Sequence, residues 1–222
     1  MNANSNDMPT TAAAGATVLA IAAWLIAALA AGAAGVLERP ERPPFELLAF
    51  IVVPIATGLL AFAASPAFRA LVRQVDMRWL IGAHAWRFVG LGFLVGWLQG
   101  ALPAGFAIPE GLGDIIAAAG AVAIVARPAT RPVSRGWLLA WNAFGLLDLV
   151  AAIALGVLFA KGPLGLLAGG GATTGPMIAF PVSLIPTFFV PLFILVHLLL
   201  FHRLNEAKEP AVTGRTMARA AS

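Results

Sequence analysis

Six apolar runs of about 20 residues each, parted by short stretches that carry nearly all the charge, leave this chain few ways to fold. A water-soluble domain needs a polar exterior, and typically about 25% of its residues are charged. Here 11% of 222 residues are charged and 60% are hydrophobic. Lipid removes the need for a polar exterior, while every backbone polar group in it must bond internally. The pattern therefore predicts an all-α, polytopic transmembrane bundle. The chain holds no cysteine, which excludes disulfides, thiolate nucleophiles and Cys-ligated metals.

The expected spans are Thr11–Val36, Phe45–Ala64, Trp79–Leu98, Pro109–Ala126, Gly136–Ala160 and Met177–Phe201. Residues 11–202 then form the membrane domain, between a disordered tail at 1–10 and a cytoplasmic tail at 203–222. The first run is not read as a signal peptide, because no Lys or Arg precedes it and it is about twice too long. Residues 65–78 suit a short interfacial helix, and Leu164–Leu167 can dip into the interface. Trp79 and Trp137 open spans and Trp97 closes one, as an aromatic belt does.

Basic residues set the expected orientation. Segments on the N-terminal side hold ten Lys and Arg, in 65–78, 127–135 and the tail after Phe201. The other side holds three, Arg39, Arg42 and Lys161. Positive charge is retained on the cytoplasmic side, so both termini are expected there. The same placement accounts for the pI of about 11.0 through anionic lipid rather than nucleic acid.

Ionisable groups within a span are costly and mark candidate sites. Arg87 lies ~12 Å and Asp148 ~18 Å from the cytoplasmic ends of their spans, at 1.5 Å per residue. A guanidinium bridges that difference, so the two are expected to pair near the midplane, with Asn142 completing a polar cluster. Glu110 and Asp114 share a face of the fourth span. With Pro109 as its first residue they fall at the outer face, about two turns or more from Arg87, as acids that complement a helix start. His84 and His197 lie at equal depth on different spans, the arrangement a bis-histidine b-type haem requires. His202, one turn further out, is badly placed to close a zinc site. No catalytic set and no metal site emerges from the spacing.

Pro181, Pro186 and Pro191 recur every five residues, so the last span should bend, with Ser183 and Thr187 returning hydrogen bonds to freed carbonyls. Gly113, Ala117 and Ala121 give a small-residue stripe for close helix packing. An eight-residue likeness links Gly111–Ala118 to Gly145–Ala152 at a spacing of 34 residues. Inverted repeats of this kind occur in transporters.

Gly111-Leu-Gly-Asp114, Trp141 to Asp148 and Pro181 to His197 together resemble stretches of uncharacterised small bacterial multi-pass integral membrane proteins. The likeness runs from about Arg87 to His197. It implies a membrane protein of the bacterial inner membrane with no assigned activity. The residues themselves favour a protein that binds or moves a small solute through Arg87, Asn142 and Asp148, rather than an enzyme. A membrane haem protein with His84 and His197 ligands is the alternative, as is an accessory subunit whose helices only pack against a partner.

Overall fold

The computed structural model describes residues 8–39, 42–128, 130–131 and 133–206. It is helical throughout, with no strand among the described residues. Six of its helices are long and apolar enough to cross a membrane, consistent with an integral membrane protein.

The first, α1, spans Met8–Ala33 and starts inside the stretch expected to be a disordered tail. Pro9 lies in its first turn, where a missing N–H costs nothing. The rest of that tail, and the C-terminal one beyond Glu206, lie outside the described residues. Helix α2 is Phe45–Ala64 and tolerates Pro54 inside it. Ser65 then caps α3 (Pro66–Gln74), accepting from Phe68 N at 3.1 Å with Pro66 at the first helical position. This is the short helix expected from residues 65–78. Asp76 caps α4 (Met77–Gly82) through Arg78 N at 2.8 Å.

The third long segment then tightens. Ala83–Val89 winds as a 3₁₀ helix before α5 (Gly90–Leu98). Side chains three apart eclipse in a 3₁₀ helix. Ile81, His84, Arg87, Gly90 and Phe93 accordingly form one buried file at three-residue spacing.

Helix α6 spans Ala104–Val125, which corrects the expected start at Pro109. Pro109 lies inside the helix, where one missing backbone bond is tolerated in a membrane segment. Ser134 caps α7 (Arg135–Leu158), accepting from Trp137 N at 3.3 Å. The last segment departs most from expectation. It is not one bent helix from Met177. A 3₁₀ turn at Gly175–Ile178, non-helical turns and a π-helical turn at Ile185–Phe189 precede α8 (Val190–Glu206).

The three prolines account for this break, and the carbonyls freed by Pro186 and Pro191 find partners. Val182 O accepts from Ile185 N at 2.9 Å. Thr187 O, which would bond the absent N–H of Pro191, accepts instead from Trp24 Nε1 of α1 at 3.0 Å. Thr187 Oγ1 donates to Ser183 O at 2.6 Å, but Ser183 Oγ is buried without a partner and returns nothing.

Helix α6 is the centre of the bundle, packed on α4, the 3₁₀ turn, α5 and α7, while α7 packs on α8 and α8 on α2. Two apolar clusters cap the interior. Ile81, Ala121, Ile124, Trp141 and Leu200 form one, and Phe93, Leu102, Phe106, Ala107 and Met177 the other. The buried charges lie between them.

Candidate functional site

Arg87 is 1% exposed and stands at the centre of that layer. Its Nε donates to Asp114 Oδ1 at 2.7 Å, its Nη2 to Asp148 Oδ2, and its Nη1 to the Gly145 carbonyl at 3.1 Å. All three faces of the guanidinium are thus engaged. A single buried charge is costly and a paired one far less so, which makes this convergence the energetic core of the site.

Asp148 is the carboxylate expected to meet Arg87. Asp114 is not, and its place is a correction. Because α6 begins at Ala104, Asp114 lies ten residues in, ~15 Å along the axis, and reaches the middle of the bundle instead of an outer face. Glu110 moves inward with it and is 2% exposed, with no ion pair among the described residues. The two halves of the 34-residue likeness each deliver their aspartate to Arg87, which is the sequence signal that could have found Asp114.

Glycines set these distances. A Cβ on Gly90 would fall 2.6 Å from Asp114 Cβ and 2.8 Å from Gly111 O, so α5 and α6 touch through their backbones. A Cβ on Gly145 would lie 2.7 Å from His197 Nε2 and 3.1 Å from Arg87 Nη1. On Gly113 it would strike Asp148 itself. Ala117 and Ala121 of the small-residue stripe are buried, and Trp141 Nε1 donates to Ala117 O at 2.9 Å.

Asn142 joins the layer through histidine rather than arginine. Its Nδ2 donates to His197 O at 3.0 Å, which turns Oδ1 towards His197 Nδ1 at 2.8 Å. An amide oxygen accepts, so Nδ1 carries the hydrogen and Nε2 faces Arg87 Nη1 at 3.5 Å. His84 is fully buried against Trp141, Phe193 and His197, and neither of its ring nitrogens has a hydrogen-bond partner among the described residues.

The two histidines meet, but not as haem ligands. Their ring centroids are 4.1 Å apart. Two axial imidazole nitrogens each ~2 Å from a metal would by themselves be ~4 Å apart, with the rings further out on opposite faces of a porphyrin. Rings in direct contact leave no such gap, so the pair does not fit a haem. His202 Nε2 lies 3.1 Å from Glu206 Oε1 and its ring meets Phe62 instead of the other histidines. No cluster of described residues has the make-up of a metal site.

A cavity of about 430 Å³ leads to this layer. Its rim carries Glu38, Arg39, Arg42, Glu46 and Lys161, and its shaft is lined mostly by apolar side chains of α2, α7 and the π-helical turn. Arg39 and Glu46 pair across the rim at 3.6 Å. Leu164, expected to dip into the interface, stands at this mouth. Asp114 is the buried carboxylate that the cavity reaches.

The model of a domain of unknown function, DUF8737, matches residues 43–205. The chain belongs to that family. The family domain takes in α2 to α8, and with them Arg87, all three buried carboxylates, both buried histidines and Asn142. It leaves α1 outside. No activity comes with the family, as the resemblance to uncharacterised proteins implied, and neither the curated proteins nor the solved structures contain a match.

Proposed function

We propose that this is a multi-pass protein of a bacterial inner membrane, both termini cytoplasmic, that binds or moves a small solute. The solute enters the cavity from the Arg39–Lys161 side and meets the polar layer around Arg87. One observation carries this reading: the cavity runs from a charged rim to the Asp114 carboxylate, which is itself bonded to the central guanidinium. Its volume lies in the ~300–1,000 Å³ range of small-molecule sites. A buried ionic network on the wall of such a cavity suits recognition, since ionisable groups inside a bundle line solute pathways.

The ten-to-three bias of basic residues supports the orientation and places the rim outside. Reporter fusions after Arg39, Arg131 and Ser222 should give an external signal from the first and cytoplasmic signals from the others. An external C-terminus defeats the topology.

The site is tested by thermal unfolding of the purified protein against a panel of small cations, anions and neutral solutes. At least one should raise Tm, and the rise should vanish in Ala152→Trp, which fills the shaft without touching Arg87. A panel that leaves Tm unchanged throughout sinks the reading.

A further inference from the structure

The charges around the cavity floor do not balance. Glu110, Asp114 and Asp148 share the interior with one guanidinium, and Glu110 is within electrostatic reach of all three partners. Four of the five N–H donors of Arg87 face Asp114, Asp148, the Gly145 carbonyl and His197, and its side chain does not line the cavity. Asp114 differs. Its Oδ1 serves Arg87, while its Oδ2 takes no hydrogen bond among the described residues and the carboxylate borders the cavity. What the floor lacks is positive charge.

Aromatic rings stand beside this deficit. Phe106, Glu110 and Asp114 follow at four-residue spacing, on one face of α6. Phe93 meets Phe106 with ring centroids 5.7 Å apart, and both line the cavity with Asp114. Aromatic faces attract a desolvated ammonium, and more strongly where a carboxylate shares the site. The remainder of the shaft is apolar and would reject a strongly hydrated ion. The rim carries both signs and selects neither.

We propose that the ligand of this cavity is a lipophilic organic cation, an ammonium whose head lies over Phe93 and Phe106 against Asp114 and whose apolar body fills the shaft. Glu110, one turn from Asp114 and buried without an ion pair among the described residues, is a second carboxyl group within electrostatic reach of the head. The proposal rests on the reading of this cavity as a solute site and names the class of solute.

The test uses the full chain in lipid nanodiscs and three probes of nearly one shape: benzyltrimethylammonium, its uncharged carbon analogue neopentylbenzene, and benzenesulfonate. Titration calorimetry should show the cation binding at least about tenfold more tightly than the neutral probe, the scale of a desolvated cation–π contact, and no binding of the anion. Glu110→Gln, which leaves the bonds of Arg87 intact, should weaken the cation about tenfold through lost through-space attraction while the neutral probe is unaffected. Equal binding of the cation and its neutral analogue overturns the proposal and leaves the cavity a solute site; carboxylates already neutralised by protons would give that result. Tighter binding of benzenesulfonate overturns it equally. Failure of every probe, together with a silent solute panel, removes the site itself.

Discussion

Helices α1 and α6 are of similar length, and α1 is the more apolar of the two, yet only 6% of the apolar window of α1 is buried against 39% for α6. In water the order would be reversed, because apolar surface drives burial. In lipid it drives nothing, and association falls to close packing and polar bonds. Helix α6 supplies both, with Gly111, Gly113 and Ala117 for approach and Asp114 for Arg87. Helix α1 has one such stripe, Trp24, Ala28 and Gly32. Trp24 takes the carbonyl orphaned by Pro191 and meets Phe188 in a tilted ring contact at 4.8 Å, Ala28 is buried, and Gly32 lies against Phe180 and Ser183. Helix α1 also packs on α3, and an apolar cleft of about 910 Å³ lies among α1, α2, α3 and α8. The family match, which starts after α1, follows the same division.

Substitutions at the two helices and their neighbours should therefore differ sharply. The largest loss is expected from Arg87→Ala, which strands buried carboxylates of α6 and α7 and should cost about 3–5 kcal/mol. Thermal or denaturant unfolding in detergent measures it. Asp148→Ala should also destabilise, and the double variant should lose less than the two single losses combined, since fewer charges are left alone. Strict additivity would show that the polar layer does not act as a unit.

Gly145→Val comes next, at about 1–3 kcal/mol, because its side chain enters the space of His197 and Arg87. Gly15→Val on α1 is the matched control. Nothing lies within 4 Å of that position, so its change should stay within about 0.5 kcal/mol. Equal effects at the two glycines would erase the contrast between the helices.

Trp24→Phe keeps the ring and removes the bond to Thr187 O, a loss of about 1 kcal/mol. It should fall on α1 docking alone, read as faster proteolysis of that helix with the cavity's ligand binding unchanged. Leu19→Ala should be the smallest effect, within about 0.5 kcal/mol, since this side chain is 71% exposed on the lipid-facing flank. A loss there as large as at Trp24 would mean that α1 docks through a different face.

Individual residues show how much the sequence made legible. Arg87 and Asp148 stand out as charges in apolar runs, and a guanidinium bridges the difference in their depths. Asp114 was hidden because Pro109 reads as a helix start, while in the structure it is an internal residue of α6. Glu110 was misplaced for the same reason. His84 and His197 were matched in depth, but depth carries no information on rotation about a helix axis. The structure sets their rings in tilted contact and gives Asn142 to His197. Phe93 and Phe106 carry no sequence signal at all, since one phenylalanine in a span looks like any other.

The sequence by itself determined the number of apolar helices, the short helix between the second and third, and the rule that a buried guanidinium needs an acid. These follow from composition and local chemistry, which act along the chain. The tertiary structure alone decided which acids those are, which way each histidine turns and where the cavity runs. The physical reason is the solvent. When both the bundle interior and its surroundings are apolar, a helix has no polar side to mark its outward face, so its rotation is fixed by glycine contacts and hydrogen bonds from other parts of the chain.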